Sequence, residues 1–187
     1  MSSRAKQKRE SRNRILKITG ARMRKEGIDG ASIAKIMRDA GLTHGAFYAY
    51  FDNKNELAQA GFQHAIDSTQ PRWFGSKHGD ESFAARLKRL AATYLSKRHR
   101  DSIDTGCAIS ALATDVPRSG EDFQAIYELA VKNTLKQIGG DFPDKQNEAI
   151  LFLSLCVGGL LLSRNVQDEE LSRQILETTR SHIEEMA

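Results

Sequence analysis

The side chains best placed for chemistry on another molecule lie between residues 32 and 54, SIAKIMRDAGLTHGAFYAYFDNK. They are hydroxyls, amines and an imidazole, with no nucleophile–base pair among them. The segment contains two helical patterns. In the first, Ile33, Ile36, Met37 and Ala40 recur at i, i+3, i+4 and i+7 and share one buried face, leaving Ala34, Lys35 and Arg38 outward. In the second, Phe47 and Phe51 at i and i+4 form the anchor. Its outward side carries His44, Gly45, Ala46, Tyr48, Ala49 and Tyr50, small at the tip and aromatic-polar behind, so the tip can enter a major groove without steric block. This is the layout of a helix-turn-helix DNA reader.

The punctuation fits that layout. Ser32 is a natural N-cap for the first helix and Thr43 for the second, Gly41 supplies a left-handed turn between them, and Leu42 plugs the gap. Asn53 with Glu56 three residues on reads as a capping box that starts a further helix. Lys35 and Lys54 then occupy first helical turns, where the macrodipole disfavours a cation by about 0.3–1 kcal/mol. A phosphate held at the same helix ends reverses that penalty, because it meets free backbone amides and a charge-assisted amine together.

Charge is divided to match. The chain has 28 Lys+Arg and 24 Asp+Glu over 187 residues; residues 1–60 hold 13 basic and 6 acidic groups, net +7, which leaves −3 for the remainder. A basic reader joined to a mildly acidic second region suits phosphate attraction. Arg4, Lys6, Lys8, Arg9, Arg12, Arg14 and Lys17 form a basic stretch expected to begin as a flexible arm and become helical near Ser11. Such an arm is either a solvated tail or a strand along the backbone or adjacent minor groove. No apolar core follows it, so no signal peptide is expected.

The rest reads as a helical bundle. Pro71 and the 75–79 stretch mark a break, and Phe83, Leu87, Leu90, Ala91, Tyr94 and Leu95 make a helical stripe. A short apolar helix is expected over 107–114. Ser119 is read as the cap of a helix ended by Gly139-Gly140, Pro143 and Asp144 open a helix running to about Arg164, and Asp168 opens the last. The run AILFLSLCVGGLLLS at 149–163 is shorter than a membrane span and is expected to be a buried helix, with no membrane partner. Cys107 and Cys156 are too few for a disulfide framework, and the five histidines show no metal-ligand spacing, so a reducing cytoplasm, no metal and no cofactor are expected.

The stretch from Arg14 to Phe62, above all Gly27-Ile-Asp-Gly30, Ser32-Ile33, Ala40-Gly41-Leu42-Thr43-His44-Gly45, Phe47-Tyr48 and Phe51-Asp-Asn-Lys54, closely resembles the N-terminal domain of TetR/AcrR-type bacterial transcriptional regulators. The resemblance implies an all-α chain: a three-helix DNA-binding domain at 1–53, then a linking helix and a regulatory, dimerising bundle at 54–187. It implies phosphate contacts from Thr43, Tyr48, Tyr50 and Lys54, joining Ser32 and Lys35, and base-edge contacts from His44, Gly45 and Ala46. It further implies a homodimer on near-palindromic operator DNA, released by a small-molecule inducer.

Three features sharpen those expectations. Trp73, Phe83, Tyr94, Cys107, Phe123, Tyr127 and Phe152 are large or polarisable groups that suit a ligand pocket, and equally suit core packing. Leu155, Gly158, Gly159, Leu162, Leu171, Ile175 and Thr179, on the last two helices, are the expected dimer interface, the glycines admitting a partner helix. Tyr50 stands where the family commonly has histidine, and Gly20 and Arg22 stand where it commonly has apolar residues, so looser packing of the first helix is expected. Two other readings remain at this level besides an enzyme, for which no catalytic constellation is visible. One is a thiol-based regulator using Cys107 or Cys156; the other is a non-specific binder using the basic arm.

Overall fold

A computed structural model describes residues 3–30, 32–74, 80–140 and 142–186, and every regular element among them is helical. The N-terminal domain consists of α1 (Ser3–Glu26), α2 (Ile33–Asp39) and a short 3₁₀ helix (His44–Ala49). Helix α3 (Lys54–Phe74) leads into α4 (Phe83–Tyr94), α5 (Lys97–Asp101), α6 (Ala108–Leu112), α7 (Glu121–Gly139), α8 (Gln146–Asn165) and α9 (Glu169–Met186). The fold is the expected one, a helix-turn-helix domain followed by a helical bundle.

Several local expectations are corrected. The basic stretch is helical from Ser3 rather than an arm that turns helical at Ser11. Arg, Lys, Gln and Ala are good helix formers, so the helix continues outward beyond its packed part. Pro71 does not break α3, which runs on to Phe74. The lost backbone bond falls in the last turn and a half, where buried Trp73 and Phe74 pin the chain. Gly120 at φ +98°, not Ser119, caps α7, while the Ser119 hydroxyl donates to the Asp115 carbonyl at 2.9 Å.

Gly20 tightens α1 instead of loosening it. A Cβ there would lie 3.0 Å from Ala65 Cβ, and one at Gly61 would overlap Thr19 Cγ2. The two glycines let the α1 and α3 backbones cross at close range, with Ile15, Leu16, Thr19 and Met23 buried in the seam. Arg22 also has a use: its guanidinium reaches Asp39 at 2.5 Å and Glu26 at 2.6 Å, tying α1 to the end of α2.

Helix α8 is 20 residues, longer than its apolar run, so length and composition alone would pass it as a membrane span. Within the fold it is the core helix, burying Phe152, Leu153, Cys156 and Leu160. Helix α9 closes over it, started by Asp168, whose Oδ1 accepts from the backbone N–H groups of Glu170 (2.8 Å) and Leu171 (3.1 Å).

Candidate nucleic-acid interface and regulatory core

The turn between α2 and the 3₁₀ helix is built by backbone bonding. Gly41 takes φ +69°, its N–H donates to the Arg38 carbonyl and the Leu42 N–H reaches back to Met37, both at 2.9 Å. These are the two bonds of a Schellman motif, which only a left-handed residue at this position permits. Phe47 and Phe51 are buried at 1% and 2% exposure with rings 5.9 Å apart, so the segment is pinned from beneath as expected. It is one tight 3₁₀ segment, however, rather than an α-helix through Phe51.

That pinning turns the remaining groups outward. Ser32, Lys35, Thr43, His44, Gly45, Tyr48 and Lys54 are exposed, and Ala46 and Tyr50 are half-buried. Tyr48 is 70% exposed, the largest such value among the exposed large apolar side chains of the described residues. Neither Ser32 nor Thr43 caps its helix through its side chain, contrary to expectation; both hydroxyls remain available to another partner. The capping box at α3 does form. The Asn53 side chain accepts from the Glu56 N–H at 2.9 Å, while Glu56 returns to the Asp52 N–H at 2.6 Å instead of to Asn53's own.

The seven aromatic or sulfur-bearing residues expected to share one pocket fall in separate places. Phe83 and Phe152 line an apolar cavity of about 240 Å³ between α4, α8 and α9, with the Lys145–Glu148 ion pair at its edge. Phe123 packs on Phe62, rings 5.6 Å apart, joining α7 to α3. Tyr127 donates to the Ile109 carbonyl at 3.2 Å, and its burial pushes the phenol up to about 12. Only Trp73, Tyr94 and Cys107 gather at one centre.

That centre is His99, which the sequence reading missed. The Trp73 ring stacks on it at 3.5 Å and 14°, and Tyr94 meets it edge-on at 4.6 Å. The Cys107 N–H donates to Nε2 at 3.0 Å, so Nδ1 carries the proton and faces the Tyr94 carbonyl at 2.8 Å. Burial drives the imidazole pKa down to about 3, keeping this neutral tautomer. Inside a Lys-Arg-His-Arg run such a residue reads as surface, and the only local hint is Ser96, whose side chain caps α5 by accepting from the His99 N–H. The Trp73 Nε1 and the Tyr94 hydroxyl are buried without a well-formed hydrogen bond.

Two arginines tie this core to its surroundings, buried Arg24 from the N-terminal domain and half-buried Arg164 from α8. Arg24, at the end of α1, donates to the Asp104 carbonyl at 2.7 Å and toward the Ala65 carbonyl at 3.3 Å. Arg164 on α8 donates to the His99 and Arg100 carbonyls at 2.7 and 3.0 Å. The 99–107 segment is therefore held by α1 on one side and α8 on the other, with Trp73 of α3 stacked on its ring. Both thiols are buried and their pKa values are pushed up, chiefly by desolvation.

The expected dimer surface divides in two. Gly159 and Thr179 belong to the packing of α8 on α9 within the chain, since a Cβ at Gly159 would sit 2.9 Å from Thr179 Oγ1. They do not receive a partner helix, because the close approach is already used inside the subunit. Leu162 (59% exposed) and Leu171 (43%) point outward, Leu155, Gly158 and Ile175 are half-buried, and Gly158 faces open space.

Comparison with known proteins agrees with this geometry. Over 105 residues the chain is 38% identical to the HTH-type transcriptional regulator YvdT of Bacillus subtilis, an alignment spanning 55% of this chain and 52%, about half, of that protein. It is 28% identical over 169 residues to an HTH-type transcriptional regulator in the lacX 3′ region of Lactococcus lactis, covering 86% of each. A TetR transcriptional regulator from Chloroflexus aurantiacus superposes with a TM-score of 0.79 at 20% identity, over 96% of this chain and 95% of that one, which speaks for the fold. Residues 15–60, which carry the Schellman turn and the Phe47–Phe51 anchor, match the family model of bacterial regulatory proteins, tetR family, so it is this N-terminal segment that is similar to that family.

Proposed function

We propose that the chain is a homodimeric transcriptional repressor of the cytoplasm that binds a near-palindromic operator and is released by a small molecule, without enzymatic activity. The observation that carries this reading is the exposed row Thr43, His44, Gly45 and Tyr48 held over the buried Phe47–Phe51 pair, with Lys54 at the start of α3 beside it. In this reading Ser32, Lys35, Thr43, Tyr48, Tyr50 and Lys54 hold phosphates and His44, Gly45 and Ala46 approach base edges. The division at Lys54, with residues 1–53 as reader and 54–187 as regulator, follows the same logic: α3 packs on α1 and carries Trp73 into the regulatory core.

One such short reader contacts few bases, so selectivity requires two. The outward apolar groups Leu151, Leu155, Gly158 and Leu162 recur at i, i+4, i+7 and i+11 on α8, beside Leu171 and Ile175 of α9, and pairing this face with its copy would bury them. The two readers then meet successive major grooves about 34 Å apart. Ligand control runs through the His99 centre. An acceptor-bearing compound engaging the Trp73 and Tyr94 donors would displace the His99 stack and shift the 99–107 segment that Arg24 ties to α1.

Selection of the preferred duplex from a random pool tests the proposal directly. The recovered site should be near-palindromic; His44→Ala should change which site is recovered, whereas Lys54→Ala should weaken all duplexes alike and lower the log–log salt slope by about 0.9 per protomer. Recovery of no preferred sequence, or an unchanged slope for Lys54→Ala, refutes the assignment.

A further inference from the structure

Helix α1 extends past the body of its domain, and the chemistry of one face changes where it does so. At 100° per residue, the packed stripe of Ile15, Leu16, Thr19 and Met23 continues toward the N-terminus through Arg12, Lys8 and Arg4. The opposite face of the same turns carries Lys6, Glu10 and Arg14. The inward side therefore passes from apolar to chiefly cationic as it leaves the core, with Ala5 its one small apolar group, while the only acid of these turns, Glu10, lies on the outward side. Among the described residues no carboxylate pairs with Arg4, Lys8 or Arg12.

The position of Arg12 fixes what this stripe faces. Its guanidinium carbon lies 5.1 Å from the Phe51 ring centre, so the stripe begins over the end of the helix-turn-helix, at the residue three positions before Lys54 opens α3. From Arg12 to Arg4 the helix adds about 12 Å on the same side. A cationic row this long, continuous with the groups that face phosphate, is complementary to a duplex backbone running on past the half-site.

We propose that Arg4, Lys8 and Arg12 hold phosphodiester groups of duplex DNA outside the base-read half-site, extending the footprint of each protomer outward. This rests on the DNA-binding reading above. It adds affinity without sequence information, because phosphate contacts position a protein and do not read bases.

The test compares the selected operator carrying about ten further base pairs at each end, one helical turn, with the same operator trimmed of them. On the long duplex, the double variant Arg4→Gln, Lys8→Gln should lower the salt slope by up to about 3.6 for a dimer and weaken binding about tenfold or more at ~0.1 M salt. On the trimmed duplex the loss should vanish. A control of equal charge, Lys6→Gln, Arg14→Gln, should retain most of the wild-type slope. All four residues are exposed, so thermal midpoints should not move. Wild-type affinity and slope for the double variant on the long duplex, or losses equal to the control's, overturn the inference while leaving operator binding intact. A wild-type protein with no preference for any duplex overturns the DNA-binding reading instead.

Discussion

Gly61→Ala is the sharpest test of how α1 seats on α3. The added methyl would overlap Thr19 Cγ2 and lie 2.9 Å from Thr19 Cβ, and Thr19 cannot swing away because its hydroxyl donates to the Ile15 carbonyl at 2.9 Å within a fully buried site. In a helix interior, Ala is favoured over Gly by about 1 kcal/mol. Overpacking costs about 1–3 kcal/mol, and overlap with a Thr19 side chain that is fixed by its own hydrogen bond and fully buried puts it near the upper end. The net loss is about 2 kcal/mol, equivalent to a fall of roughly 4–8 °C in Tm for a chain of this size. Thr19→Ser keeps the hydroxyl bond and removes Cγ2, so the double variant should recover much of the loss. Chemical and thermal denaturation of the four members of the cycle measure the coupling. A neutral or stabilising Gly61→Ala, or losses that merely add, would refute the claim that the two glycines set the approach of these helices.

Other outcomes follow from the same structure. His99 is held near pKa 3 when folded against about 6.5 unfolded, so the unfolded chain takes up its proton first and stability falls as pH drops from about 6.5 toward 3. Denaturant titrations at pH 7, 5.5 and 4.5 should show that slope reduced in His99→Asn, whereas Glu81 and Glu169, held down to about 2 by their arginine partners, contribute only below about pH 4.5. Leu162→Glu should give a folded monomer in sedimentation, with operator affinity reduced by orders of magnitude as the second reader is lost. The two thiols should resist an aromatic disulfide reagent in the folded protein and react on unfolding; rapid native-state reaction with loss of DNA binding would restore the thiol-based reading.

The reader was legible in the sequence because its determinants are local. The 3.6-residue period of Ile33, Ile36 and Met37, a glycine at the one position needing positive φ, and two phenylalanines four residues apart are all covalently near one another, and the structure realises each of them. The core around His99 was not legible in the same way. His99 sits in a run of basic residues and is recognisable only once Trp73, Tyr94 and Cys107 close around it, and Arg24 gains its meaning from a carbonyl 80 positions away.

The sequence by itself thus determined the all-α class, the turn at Gly41 and which groups of the 32–54 segment turn outward, since backbone propensity and periodicity act over a few residues. Tertiary packing alone decided which small residues are close approaches and which are open. Gly20 and Gly61 admit a neighbouring helix and Gly159 is closed by Thr179, while Gly158 faces solvent, because a missing Cβ has consequences only through what lies opposite it.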